Sequence, residues 1–421
     1  MGVAEKFPSG SHQETEIGLI PHDWVIRCIG DVCEINGRIG FRGYTVSDIV
    51  REGEGAITIS PSNIKDGQMD FAGCTYLSWF KYEESPEIKV NNGDILLVKT
   101  GSTFGKTAIV RNLPQRATVN PQVVVLKKFK ISGDFLGYMM GFGIIQKQIA
   151  SFIVGGAIPT LSQQAVANFK LPVPQNVSEQ QSIATALSDT DALISSLEKL
   201  IEKKRNIKQG AMQELLTGKR RLPGFSGKWD ERSIGDLVQV DPENLQSKTP
   251  SSYKFKYISL EAIDRGILLS LQDHEFKTAP SRARRIVRRN DILIATVRPN
   301  LMSHYYVDGE VQNTICSTGF SVLRCDETGT HAPYIFQHFF ADSLNRQINL
   351  LLSGSNYPAI NSRDVKELVV PYPEYQEQVA IASAIQSMTQ EINALVQQVA
   401  KYKSLKQGMM QNLLTGKIRL I

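Results

Sequence analysis

The sequence has little of what usually announces chemistry. Its five cysteines (Cys28, Cys33, Cys74, Cys316 and Cys325) form no C-x-x-C pair and have no histidine at ligand spacing. That argues against structural zinc and predicts free thiols in a reducing, cytoplasmic setting. The six histidines (His12, His22, His274, His304, His331 and His338) are scattered. No run of eighteen apolar residues occurs, so no transmembrane helix is expected. The opening MGVAEKFPSGSHQ has no apolar segment, so no secretory signal is expected. Lys6 stands where a myristoylation signal needs Ser or Thr. No G-x-G-x-x-G is present, and the nearest approach to an adenine-methyltransferase N-P-P-Y motif, VNPQ at 119–122, lacks the second proline and the aromatic residue. GSTFGKT (101–107) has three residues, not four, before its Gly-Lys, and strand-like TAIV follows where a P-loop helix must begin. Asp94 and Lys99 are not followed by the Glu-x-Lys of a nuclease core. These gaps predict a chain with no catalytic residue, metal or cofactor of its own. The net charge of +5 permits nucleic-acid binding without requiring it.

What the sequence does have is itself, twice. RNIKQGAMQELLTGKRRL (205–222) and KSLKQGMMQNLLTGKIRL (403–420) agree at twelve of eighteen positions, 198 residues apart. Weaker echoes keep nearly the same spacing: EQQSIATAL with EQVAIASAI, GDILLVK with NDILIAT, and ITISPSNIKDG with YISLEAIDRG. Trp24 followed by IGDV answers Trp229 followed by IGDL. The chain is two related halves, matched best at their helical ends, and repeats of this kind decide the architecture.

Each half ends in a long helix. Ser178 and Gln181 fit a capping box, and Pro172 and Pro174 forbid an earlier start. Ile183, Leu187, Ile194, Leu197 and Ile201 then recur in a 4-3 rhythm, as do Ile381, Ile385, Ile392, Leu395 and Val399 in the second copy. Leu215 and Leu413 extend the two stripes. This is a heptad seam. A helix of roughly 36 residues, about 54 Å long, is stable only if its stripe is covered. The other copy is the natural cover, and equivalence of the halves makes the pair antiparallel. Gly218 and Gly416 mark the stops.

The remaining bodies read as mixed α and β, with short apolar strands broken by Gly, Pro, Asn and Asp. Five loops carry side chains suited to DNA. GRIGFRGYT interleaves Arg38 and Arg42 with Tyr44 among glycines. The loop from Lys99 to Lys106 offers Ser102 and Thr103 between two strands. TVNPQ presents Asn120 and Gln122. SRARRIVRR packs Arg282, Arg284 and Arg285 with two further arginines, and TVRPN presents Arg298 and Asn300, with His304 just beyond. Amides pair with adenine edges and arginine with guanine.

Two variable bodies, each followed by an EQ-x-x-IA helix ending in LLTGK, resemble the specificity subunit of type I restriction–modification systems. DILLVKTGS, GGAIPTLS (155–162) and GSNYPAINSRDV (354–365) resemble motifs of its recognition domains. The resemblance implies an α+β architecture with a pseudo-twofold internal repeat. Two α/β target-recognition domains (1–171 and 223–369) are separated by two long antiparallel helices forming a coiled coil, within helical spacer regions 172–222 and 370–421. It implies double-stranded DNA as ligand and two methylation subunits as partners, with two restriction subunits able to join. S-adenosylmethionine, ATP and magnesium would be bound by those partners. Two other readings stay open from the residues alone: the recognition subunit of a related two-subunit restriction system, and a coiled-coil adaptor with no DNA role.

Overall fold

The computed structural model describes residues 12–38, 40–153, 160–326, 328–352 and 358–421. The chain forms two compact units, residues 1–196 with 399–421, and residues 197–398. Each unit holds one body, the start of the helix that follows it, and the end of the other long helix.

In the first unit the strands Thr107–Ile109, Ile95–Val98, Val123–Lys127 and Glu34–Gly37 form one sheet in that order. A five-stranded sheet centred on Gly55–Ile59 and Ala117–Val119 packs near it. Successive side chains in a strand point to opposite faces. Ile95, Leu97, Val124 and Leu126 therefore join the helices in one core, while Leu96, Val98, Val123 and Val125 face Ile57 and Ile59 in another. Burial on both faces explains why these strands are apolar without alternation. The second unit repeats the scheme. Ile292, Ile294 and Leu323 face the helices, and Leu293, Ala295 and Val322 face away.

The repeat holds bond by bond. Gln148 exchanges two hydrogen bonds with the Lys170 backbone, and Gln347 does the same with Val369. Gln180 accepts from the Ser132 N–H and donates to the Pro174 carbonyl, and Gln378 treats His331 and Pro373 alike. The glutamine of each EQ motif thus ties the long helix to its own body.

The long helices span Val177–Leu215 and Tyr375–Leu413, 39 residues each, about 58 Å at 1.5 Å per residue. The first starts earlier than the capping box predicts. Asn176 accepts from the Ser178 N–H at 2.9 Å and does the capping, which leaves Ser178 inside the first turn. Gly218 and Gly416 end the helices at φ +69. A Cβ at Gly416 would lie 2.3 Å from the Pro21 ring, so glycine is required there twice over. Within the first unit Asp191 pairs with Lys406 at 2.7 Å and Glu179 with Arg419, so early residues of one helix meet late residues of the other. Within the second, Lys204 pairs with Glu391 at 2.6 Å and Arg221 with Glu377 at 2.5 Å. The helices run antiparallel in both units. Ile183, Leu187, Ile381 and Ile385 are buried in the two main cores, Ile194, Ile201, Ile392 and Val399 are buried, and Leu197 and Leu395 are half-buried. Leu215 and Leu413 are buried too.

The repeated LLTGK-x-R-L ends in an arginine with a fixed task. Arg419 is 4% exposed, donates to both oxygens of Glu179, reaches both oxygens of Asp23, and lies over the Trp24 ring at 5.7 Å. Arg221 donates to both oxygens of Glu377 and lies over Trp229 at 5.1 Å, while the Trp229 indole N–H donates to the same carboxylate at 2.9 Å. The glutamate of each EQ motif is the partner of the other copy's arginine.

Candidate nucleic-acid interface

In the first unit Gly55–Ile59 and Ala117–Val119 run parallel with Ile59 beside Val119. The segments that leave them meet the hairpin loop after Ile95–Val98. The Asn120 N–H donates to the Ile59 carbonyl at 2.9 Å, and the Lys99 N–H to the Gln122 carbonyl at 2.8 Å. Asn120 Oδ1 accepts from the Gln122 N–H at 2.8 Å and closes the turn. Ser60, Pro61, Ser62, the segment Thr100–Thr103 and Gln122 line a cleft of about 340 Å³. No charged side chain lines it. Lys106, on the same loop, is exposed, and Lys99 is half-buried. Two loops singled out from sequence, 99–106 and 118–122, therefore converge. Ser60 and Ser62 were missed, although the echo of ITISPSN in YISLEA already marked that strand end as equivalent in both halves.

The GRIGFRGYT arginines belong elsewhere, which corrects the expectation for Arg38. Its guanidinium is buried, donating to the Val119 carbonyl at 3.2 Å and to the Thr118 hydroxyl at 3.1 Å. Burial pulls its pKa below the ordinary value. It also lies 5.3 Å from the ring centre of the half-buried Tyr44, and Arg42 pairs with Glu87 at 3.5 Å.

The second unit builds the same site. Lys254–Ile258 and Thr314–Ser317 run parallel. Thr296 N–H donates to the Gly319 carbonyl at 2.8 Å, as Lys99 does to Gln122. Ser317 Oγ accepts from the Gly319 N–H at 3.1 Å, as Asn120 does from Gln122. Ile360 N–H donates to Thr296 as Leu161 does to Lys99. Residues 296–303 are thus the counterpart of 99–106. Gly101 (φ +99) corresponds to Arg298 (φ +49), and Gly105 (φ +83) to Met302 (φ +55). A side chain at positive φ costs about 1–3 kcal/mol, and such strain gathers at functional sites. Arg298 and Asn300 are exposed.

The arginine run divides. Arg282 is exposed, Arg284 lies 4.9 Å from the Phe276 ring centre, and Arg285 turns inward to pair with Asp241. Arg285 is therefore corrected from a DNA contact to an internal ion pair. His304 is corrected likewise. It is fully buried, its Nδ1 accepts from the Ala295 N–H at 3.1 Å, and it packs on Phe339 and Phe340. GGAIPTLS and GSNYPAINSRDV lie partly outside the described residues.

His304 and His338 are both fully buried in the second unit, and burial pushes both pKa values down to about 3. Each stays neutral in the folded chain while the unfolded chain takes up a proton near pH 6.5. Their contribution is complete above pH 6.5 and lost as the pH falls from there toward about 3. The loss is at most about 1.4 kcal/mol per pH unit for each histidine. Between pH 7.5 and 5 the second unit is expected to lose stability more steeply than the first, which has no buried histidine among its described residues. His304→Thr with His338→Met, which install the first unit's Thr107 and Met139, should flatten that slope in pH-resolved thermal unfolding.

No helix among the described residues is long and apolar enough to cross a membrane. The family model of the type I restriction modification DNA specificity domain matches residues 21–209 and again 226–402. The chain is 25% identical to the putative type I restriction enzyme MjaX specificity subunit of Methanocaldococcus jannaschii, over 97% of this chain and 96% of that protein. It is 23% identical to the MjaVIII specificity subunit of the same organism, over 95% and 94% of the two chains. The crystal structure of the type I restriction–modification S subunit from M. genitalium shares the fold at TM-score 0.57 and 16% identity, covering 93% of this chain and 96% of that one. With two copies of the specificity domain spanning most of its length, the chain belongs to the family of type I restriction–modification specificity subunits.

Proposed function

We propose that the chain reads a two-part DNA site for a type I complex, each body (1–171 and 223–369) taking one half. The helical regions 172–222 and 370–421 set the spacer and dock two methylation subunits, and two restriction subunits join in the full assembly. Adenine N6 methylation with S-adenosylmethionine, and ATP- and magnesium-dependent cleavage, belong to those partners. The observation that carries the reading is the convergence, in each body, of three loops at the ends of a parallel strand pair, presenting Ser102, Thr103 and Gln122 in one case and Arg298 and Asn300 in the other. The test is methylation mapping in a host that expresses the chain with its methylation subunit. A single two-part motif with one methylated adenine in each half is expected. Methylation without a two-part motif would refute the reading.

Exposed arginines should behave differently from the loops. Arg282→Ala with Arg289→Ala should weaken binding of the assembled complex to all sequences alike. The slope of log affinity against log salt should fall by roughly 2. A changed recognition motif in that variant would move these two residues from phosphate to base contact.

A further inference from the structure

The two sites share a backbone but not a chemistry, and the contrast is specific enough to assign bases. In the first body the cleft is neutral, with hydroxyls, a proline ring and one amide, Gln122. In the second body Ser259 keeps the hydroxyl of Ser60, and five of the other groups are replaced. Gln122 becomes Gly319, Pro61 becomes Leu260, Ser62 becomes Glu261, Gly101 becomes Arg298 and Thr103 becomes Asn300. Leu260 occupies the space of the missing glutamine side chain, since a Cβ at Gly319 would lie 2.7 Å from Leu260 Cδ1. Arg298 and Glu261 are exposed at the rim of that filled site.

We propose, resting on the DNA-reading function above, that the second body reads a guanine–cytosine pair through Arg298 and Glu261. The first body reads an adenine–thymine pair through Gln122. Arginine donates two parallel bonds to guanine O6 and N7, and a carboxylate accepts from cytosine N4. Glutamine matches adenine N6 and N7, and small apolar groups meet the thymine methyl. Glu261 has the wrong sign for a phosphate. It makes no ion pair among the described residues, so at a DNA-facing rim a base-edge donor is the partner its charge suits. Arg298 adds an independent argument. Its backbone sits where the first body uses glycine, held by its N–H on the Pro358 carbonyl at 2.8 Å and by Leu301 N–H on its own carbonyl at 3.0 Å. A loop that tolerates glycine there carries a long, exposed cation instead, in a backbone conformation that side chains rarely adopt.

The experiment uses the assembled complex of this chain with its methylation subunit. Once mapping gives the motif, 7-deazaguanine replaces each guanine of the duplex in turn, removing only N7. Wild-type complex should lose affinity about 5-fold or more at one guanine, since one of the two bonds of a bidentate contact is removed. Arg298→Gly, which keeps the loop conformation that Gly101 adopts, should be insensitive to that replacement and should relax that base pair in the methylation map. Arg298→Lys, which keeps the charge but not the fork, should also relax it. Gln122→Ala should relax an adenine–thymine pair in the other half and leave the guanine contact intact. If no guanine is sensitive to deaza replacement, or if Arg298→Gly relaxes an adenine–thymine pair, the base assignment falls while the two-part reading stands. A missing two-part motif in wild type would defeat the underlying reading instead.

Discussion

Arg419→Ala is expected to destabilise the first unit by about 3–5 kcal/mol at neutral pH. Its partner Glu179 is 1% exposed, and without the guanidinium that carboxylate is left charged in the interior. The guanidinium also holds the Asp23 carboxyl below its ordinary range, but Asp23 is 63% exposed, so this second arm adds little. Because the pair is buried, the loss should persist in high salt. Arg419→Lys should recover only part of it, since an ammonium cannot fork onto the carboxylate. Arg419→Met with Glu179→Leu should recover most of it, because both charges leave together. Differential scanning calorimetry that resolves the two units provides the measurement. A loss below 1 kcal/mol would mean the lock behaves as a surface pair.

Lengthening the helices should change the spacer of the DNA site and nothing else in it. The insertion must avoid residues 183–191, because Ile183 and Leu187 sit in the first unit's core and Asp191 bonds both Tyr138 and Lys406. Matched four-residue insertions after Ser196 and after Gln398, where the chain passes between units, leave those contacts alone. Four residues add about 6 Å and about 400° of rotation, so the apolar stripe returns nearly to phase. At about 3.4 Å per base pair the spacer should grow by one or two pairs, with both half-sites unchanged. Matched two-residue insertions turn the stripe by about 200° and should abolish methylation. Methylation mapping of the four-residue variant decides the matter. An unchanged spacer would show that the helices are not the ruler, and an altered half-site that they take part in reading.

The helices were legible because two independent signals agreed, the heptad rhythm and the repeat, and because Gly218 and Gly416 are needed for positive φ at their stops. The lock was not legible. Arg419 and Glu179 are 240 residues apart in sequence, and nothing in charge alone distinguishes Arg419 from the exposed Lys417. Arg38 and Arg285 were misplaced for a related reason, since a guanidinium reads the same in sequence whether it meets solvent or the protein interior. Only Val287, buried two residues on, shares a face with Arg285, because a register shift between Ala283 and Arg285 breaks the alternation before it. The equivalence of 99–106 with 296–303 was legible from the echo of GDILLVK in NDILIAT just before them, although glycine at positive φ is present at 101 and 105 and absent at 298 and 302.

In neither copy can the lock be closed from within. The arginine that ends the first copy, Arg221, meets the glutamate that opens the second helix, Glu377, and Arg419 of the second copy meets Glu179 of the first. A gene encoding one copy alone would make a chain with a stranded acid at one end of its helix and a stranded base at the other. Two such chains would satisfy each other, and would then present the same body twice and read a palindrome. Joining the copies into one polypeptide frees the bodies to diverge while both pairs stay closed, so on the function proposed above an asymmetric target follows from fusion rather than from any change in how a body binds.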